Sequence, residues 1–420
     1  MLYCHDALGL GHVRRSLAIA RSVLSKRSDL MALLVTCSPA VGALPGPPRM
    51  DYLKLPSARK LGNQRYVPRN LPLGSEPFRA LRAALIRETA EHFDPDLTLV
   101  DKSPVGLMGE LAGTLGALRR RTRPARIVLG LRDILDEPDT VAREWKSEDL
   151  TPFVECHYHE IWIYGDRDVF DAPAAYGWPD SLVERTRYLG YLVRRVDEEE
   201  RREARRRLGV DDGPLALVTV GGGEDGSELI AAYLRAAEAR LLPGGLQSVV
   251  VLGPCMALGT QAALAASVPD RVRVVAFVPD LAPAIAAADV VVCKAGYNTT
   301  CELLAEGTPA VMVPRTRPRR EQWLRARALH TRGLAQLLEP QHLEPHTLAA
   351  AVRRALETGR THGRLRTDGL EQVVRHVDRM LPPASWTPAE EATAELSEAL
   401  PDRYADAWAA GDQTDLERTG

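Results

Sequence analysis

The stretch ADVVVCKAGYNTTCELLAEGTPAVMVP, Ala288 to Pro314, decides the fold. Val290 to Cys293 is a continuous apolar run, the pattern of a parallel strand covered on both faces. Lys294, Ala295 and Gly296 break it. Asn298, Thr299 or Thr300 is suited to cap a helix that stops at Gly307, a residue fitted to the left-handed position after a helix end. Pro309 opens a second strand that ends at Pro314. Strand, turn, helix and strand in this order aim a helix N-terminus at the carboxyl edge of a parallel sheet. Its unpaired N–H groups and dipole attract phosphate there. Glu302, in the same helix, is an acceptor-only carboxylate suited to the hydroxyls of a ribose. Together these residues predict a nucleotide site.

Working outward, the same alternation recurs. Leu2 to Cys4, Leu30 to Thr36, Asp96 to Val100, Arg126 to Leu131 and Glu160 to Tyr164 read as strands. Val13 to Ser25, Phe78 to His92 and Gly106 to Arg120 read as helices. Arg187 to Leu192 closes this half, and Pro39 to Pro77 reads as an irregular stretch with one strand near Tyr52 to Leu55. Glu198 to Leu208 opens a second series with helical spacing. Leu215 to Val220 is a strand, Gly221-Gly222-Gly223 a turn, and Ser227 to Ala239 a helix. Val249 to Leu252 and Arg273 to Ala276 are further strands. The expectation is α/β: two Rossmann-like, doubly wound parallel-sheet domains, 1–192 and 193–381, facing a cleft. Residues 382–420 form an acidic, Ala-rich tail, partly a helix packed back on the first domain and disordered at its end.

Composition limits the function. At 420 residues two domains are expected. The chain has 54 basic and 56 acidic side chains, a net charge of −2, which argues against nucleic acid as the main partner. Six cysteines without paired spacing read as buried, reduced thiols. With no apolar run of spanning length and no leader-like start at MLYCHD, a cytoplasmic location is expected. No CxxC or HExxH motif announces a metal. Asp166-Arg167-Asp168 spells a DxD, but the pattern is short and common, and we read it as coincidental.

Two Rossmann-like halves with Gly9-Leu10-Gly11-His12 in the first loop resemble the glycosyltransferase B fold. The second half, most strongly Phe277 to Arg325, is similar to glycosyltransferase family 28. GLGHVRRSLAIA, LRDILDEP and YGDRDVFD are closer to a bacterial branch of predicted glycosyltransferases. The resemblance covers the chain to about Leu381. It implies that the second domain takes a nucleoside-diphosphate sugar as donor, with uridine as the base. The backbone of Val278 would hold that base, and Glu302 the ribose. Gly221 to Gly223 and the turn Gly296, Asn298, Thr299 and Thr300 would meet the diphosphate. Glu321 and Gln322 would meet the sugar hydroxyls, although Glu321 stands where the lipid II-forming enzyme of the family has an amide. Arg315, Arg317, Arg319 and Arg320 crowd the same loop, where one or two would meet the diphosphate or an acidic sugar.

The first domain would bind the acceptor, with Gly9, Gly11 and Arg14 in its loop. His12 is the candidate base, and Asp101 the alternative base or the group that orients it. His12 is equally suited to capping its helix or positioning the acceptor. Arg14, Arg15, Arg59, Lys60, Arg65 and Arg69 read as a solvated face, or as a basic surface for a phosphorylated or membrane-linked acceptor, with peripheral membrane contact. The expected activity is an inverting, metal-independent transfer that needs no cofactor and uses an acceptor hydroxyl. Closure is expected about Leu192 to Asp197. The alternatives are a nucleotide-sugar 2-epimerase of the same fold and a non-catalytic nucleotide-sugar-binding protein.

Overall fold

The structure is a computed structural model and describes residues 1–4, 11–39, 41–62, 65–361 and 365–381. Gly9 and the tail 382–420, both named above, lie outside the described residues, as do the side chains of Lys60 and Arg65.

Among the described residues, fifteen strands build two parallel sheets and a hairpin. In the first half they are β1 (Leu2–Cys4), β2 (Ala32–Thr36), β3 (Met50–Lys54), β4 (Ala58–Gly62), β5 (Arg65–Pro68), β6 (Leu97–Asp101), β7 (Arg126–Arg132), β8 (Glu160–Tyr164) and β9 (Thr186–Tyr188). The second half has β10 (Leu215–Thr219), β11 (Gln247–Val251), β12 (Val272–Val275), β13 (Val290–Cys293), β14 (Ala310–Met312) and β15 (Gln336–Leu337). The first sheet runs β3-β2-β1-β6-β7-β8-β9 and the second β12-β11-β10-β13-β14-β15. Both are doubly wound, as expected. Tyr3 pairs with Val35 on one side and Val100 on the other. Val218 likewise sits between Val250 and Val292. The central strands β10 and β13 are buried along their whole length, which is why they read as unbroken apolar runs.

Strand order reverses between β1 and β6 in one sheet and between β10 and β13 in the other. At such a switch point the connections leave to opposite sides and open a crevice at the carboxyl ends of the strands. Asp101 ends β6 at the first crevice, and helix Gly11–Lys26, which starts with Gly11 and His12, follows β1. The Gly221–Gly223 turn follows β10 at the second crevice, and helix Tyr297–Glu306 follows β13.

Several local expectations are corrected. The stretch 39–77 contains the antiparallel hairpin β4-β5 besides an edge strand. Gly106 to Arg120 is not one helix, because Gly106, Met108 and Gly109 adopt positive φ and a continuous helix starts only at Ala112. Asn298, Thr299 and Thr300 do not cap the Tyr297–Glu306 helix. Gly296 holds that position, and the three polar residues form the first turn. Gly307 does end it in the left-handed conformation, at φ 61°. Four cysteines are buried, but Cys156 and Cys255 are exposed.

A helix packed back on the first sheet occurs at Gly369–Met380, ahead of the segment where one was expected. Arg27 donates to Asp378 Oδ1 at 2.8 Å, and His376 Nδ1 lies 3.2 Å from Glu160 Oε2. The chain therefore crosses between the sheets twice, and the crossings are bonded together. Tyr191 N donates to Arg366 O at 2.8 Å, and Gly369 N to Tyr191 O at 3.1 Å.

Candidate active site

Two helix N-termini meet between the sheets. Asn298 Nδ2 of one helix donates to Gly11 O of the other at 3.4 Å. Beside them Tyr297 Oη donates to Tyr164 O, the end of β8, at 2.9 Å. The Tyr297 ring lies 5.4 Å from the Arg15 guanidinium and 5.7 Å from that of Arg325. The N–H groups of Tyr297, Asn298 and Thr299 precede the first intrahelical bond, from Thr300 N to Gly296 O at 2.9 Å. They are the orphan donors of a helix start and favour an anion. The turn leading to them is tight. Ala295 has φ 58°, and its carbonyl is pinned by Arg325 Nη1 at 3.1 Å.

On the first-domain side His12 Nδ1 is hydrogen-bonded to Asp101 Oδ2. Arg15 donates to both oxygens of the same carboxylate, from Nη2 at 2.7 and 2.8 Å and from Nε at 3.0 Å. Arg15 was read as part of a basic surface, yet it is only 5% exposed. A helix places residues three apart on one face, so both side chains of the first turn reach the end of β6. Burial raises the pKa of Asp101, but Arg15 and His12 outweigh it and hold the carboxyl well below the usual range. Burial lowers His12 to about 4 against the opposing pull of Asp101. At neutral pH the ring is uncharged. The acceptor-only carboxylate favours the proton on Nδ1, although Arg15 Nη2 also lies 2.8 Å from that nitrogen; with the proton there, the lone pair is on Nε2, the state a general base requires.

The donor-side residues fall into three groups. Glu302 lines a cavity of about 700 Å3 between the sheets with Arg14, Arg194, Asp280 and Asn298. Burial, reinforced by Asp280, raises Glu302 to about 8, with Arg14 and Arg194 opposing. Arg14, expected in the acceptor loop, reaches across to donate to Pro279 O at 2.7 Å. Val278 opens on a neighbouring cavity of about 630 Å3. The Arg194–Asp280 ion pair, at 2.6 Å, lines both cavities, so Val278 and Glu302 do not share one.

In the second group, Gly223 packs so closely on the next loop that an added Cβ would lie 2.5 Å from Leu252 O. Cys255 N donates to Gly222 O at 2.7 Å. Lys294 Nζ donates to Asp225 O at 3.1 Å, closing this turn toward β13.

The third group surrounds Glu321, which is buried and accepts from Arg315 Nη2 at 2.6 Å. Burial works against its ionisation, but Arg132, Arg315 and Arg325 together lower its pKa. Gln322 Oε1 accepts from Arg315 N at 2.9 Å. Glu321 Oε2, Arg132 Nε, Arg315 Nε and Thr300 Oγ1 are buried without a hydrogen-bond partner among the described residues. Such atoms call for a polar ligand or water.

Of the four loop arginines, Arg319 binds Asp136 and Glu144, and Arg320 binds Glu137, all on the first domain. Arg317 is exposed. Only Arg315 remains with Glu321. Sequence reasoning missed Arg132, Tyr164, Tyr297 and the buried pair Arg325–Asp133 as site residues, and offered Arg15 only for a solvated face or a basic acceptor surface. Arg132, which ends β7, and Asp133 after it, both in LRDILDEP, were the signal for two of them. Asp166 of the DxD accepts from Asp168 N at 3.0 Å and Arg366 N at 3.1 Å. It fastens the second crossing.

Residues 217–377 match the family model described as the glycosyltransferase family 28 C-terminal domain. A curated relative is the UDP-N-acetylglucosamine–N-acetylmuramyl-(pentapeptide) pyrophosphoryl-undecaprenol N-acetylglucosamine transferase of Corynebacterium efficiens. It is 35% identical over 142 residues, 34% of this chain and 37% of that protein. The protein of the same name from Salmonella typhimurium is 33% identical over 181 residues, 41% and 50% of the two chains. The chain thus spans half or less of the length of these relatives. Among solved structures, the glycosyltransferase of kitacinnamycin superposes with TM-score 0.58 at 16% identity, covering 91% of this chain and 98% of that one. MurG of Acinetobacter baumannii gives 0.52 at 17%, covering 89% and 94%. The fold is the glycosyltransferase B fold.

Proposed function

We propose that the chain is an inverting, metal-independent glycosyltransferase that moves a hexose-type sugar from a uridine diphosphate sugar to an acceptor hydroxyl. The observation that carries this reading is the meeting of His12, oriented by Asp101, with the helix start that leads to Glu302. The curated relatives are named as N-acetylglucosamine transferases acting on a pyrophosphoryl-undecaprenol, with UDP-N-acetylglucosamine in the name, which supports a uridine donor and a lipid-linked acceptor.

In this mechanism the diphosphate lies against the N–H groups of Tyr297 to Thr299 and the Gly221–Gly223 turn. Glu302 accepts from the ribose hydroxyls, and the atoms of Glu321 and Arg315 that lack partners meet the sugar. His12 Nε2 takes the acceptor's proton as its oxygen attacks the anomeric carbon. The bond to the diphosphate breaks on the opposite face, and configuration inverts. The leaving charge is stabilised by the helix start and Arg315. Asp101 holds the ring in position and favours its proton on Nδ1, and Arg15 anchors the carboxylate.

The test is calorimetric titration with a panel of nucleoside diphosphates and their sugars, on the native chain and on Glu302→Ala. Selective binding of one nucleotide, lost in a folded Glu302→Ala protein, is expected. The reading fails if no nucleotide binds. Epimerisation of a bound sugar without an acceptor would replace it with an epimerase, and binding with no turnover would make the chain a sensor.

A further inference from the structure

The end of the first sheet that faces away from the cleft has two adjoining cavities, which the proposed transfer does not use. One, of about 230 Å3, is lined mainly by apolar side chains, among them Ile19, Val23, Leu24, Phe93 and Val377. The other, of about 490 Å3, is lined by Arg119, Arg123, Arg126 and His159. Asp96 and Leu381 line both. Arg123 and Arg126 are exposed, and Asp96, paired with Arg123 at 3.0 Å, is the single acid among the described residues lining the second cavity. His159 is held neutral by burial and by Arg119, so the positive charge there belongs to the arginines.

Leu381 is also where the described residues end, and residues 382–420 follow. They contain nine acidic and two basic side chains, which leaves this segment at −7 and the rest of the chain at +5. Trp386 comes five residues after Leu381, within about 17 Å along an extended chain. The acids begin after it, at Glu390 and Glu391. An apolar side chain followed by acids thus leaves the point where an apolar cavity meets an arginine-lined one.

We propose that residues 382–420 dock on this face of their own chain. Trp386 fills the apolar cavity, and the acids from Glu390 to Glu398 lie over Arg119, Arg123 and Arg126. Attachment at Leu381 gives the segment an effective concentration of order millimolar, so weak contacts suffice. Docking fastens helix Gly369–Met380, which is tied to Ser22, Arg27 and Glu160 of the first half, and so secures the second crossing.

Hydrogen–deuterium exchange on the full chain tests this, against a chain ended at Leu381 and two full-length variants, Trp386→Ala and Arg123→Glu/Arg126→Glu. Faster exchange in residues 27–32, 93–97 and 373–381 is expected in all three, with residues 215–219 unchanged as an internal reference. A synthetic 382–420 peptide should restore protection to the shortened chain and lose that effect in high salt. Unchanged exchange in the full-length variants overturns the proposal, whether or not the shortened chain folds. Protection that depends on protein concentration, or arises only with lipid vesicles, overturns it in favour of a second copy or a membrane.

Discussion

Arg325 and Asp133 form a two-pronged ion pair across the cleft, Nη2 to Oδ1 at 2.6 Å and Nε to Oδ2 at 2.9 Å, with both side chains shut off from water. They are 192 positions apart: Asp133 follows β7 of the first sheet, and Arg325 lies on helix Glu321–Thr331 of the second half. Removing one partner strands the other charge in the interior, at a cost of about 3–5 kcal/mol. Arg325→Ala is therefore expected to lower stability by that amount in urea denaturation. Arg325→Met with Asp133→Leu should recover most of the loss. Equal destabilisation in the single and double variants would show that the pair does not act as a unit.

His12 and Asp101 make a sharper functional prediction. If His12 is the base, His12→Ala should cut kcat by about 10²–10⁴-fold while nucleotide affinity changes little. Asp101→Asn should also lower kcat, because it releases the ring from its tautomer. Burial holds His12 near 4, so the ring stays neutral well below the pH at which free histidine protonates. The pH profile of kcat/KM should accordingly show no acid limb near 6.5, and a bend toward 8 would belong to Glu302. A downward bend centred near 6.5 would mean that another histidine, or an unburied His12, carries the proton.

Glu302 carries its effect in the opposite direction. Burial and Asp280 raise its pKa from 4.5 to about 8, so the folded chain holds a proton that the unfolded chain has already released. The stability this proton preserves is complete below about 4.5 and is lost as pH rises through 8. Glu302→Gln removes the ionisation. Its melting temperature should exceed that of the native chain by a margin that grows between pH 5 and pH 9, equivalent to about 1–3 kcal/mol at the upper end. A constant margin across that range would place the carboxylate in water.

What the sequence reveals follows from how local each determinant is. Val290–Cys293 and Glu198–Leu208 are recovered with the same ends, because the first is an unbroken buried run and the second begins with a capping box, Asp197 to Glu200. His12 and Asp101 come together because Asp101 ends β6 and His12 opens the helix that follows β1, the two strands on either side of the switch point. That position can be inferred from strand order alone. Arg15 was misread because an arginine on a helix looks solvated until its carboxylate partner, 86 residues away, is placed. The β4-β5 hairpin escaped notice because proline and arginine obscure its alternation. The division of the cleft by Arg194 and Asp280 depends on packing that no spacing encodes.

The glycine turn after β10 separates a structural role from a binding role. Gly223 has φ 95°, and an added Cβ would meet Leu252 O at 2.5 Å, so Gly223→Ala must distort backbone against backbone. Gly221 has φ 64° with nothing within 4 Å of such a Cβ, so Gly221→Ala carries only the left-handed penalty of about 1–2 kcal/mol. Gly223→Ala should therefore be the more destabilising of the two in thermal melts. The order of nucleotide affinity should be less lopsided. If the diphosphate approaches this turn, the methyl group of Gly221→Ala projects into the space the ligand needs, and affinity should fall by about tenfold or more in a well-folded protein. Undiminished affinity in Gly221→Ala would leave this turn with a packing role against residues 252–256 and move the diphosphate to the Tyr297 helix start alone.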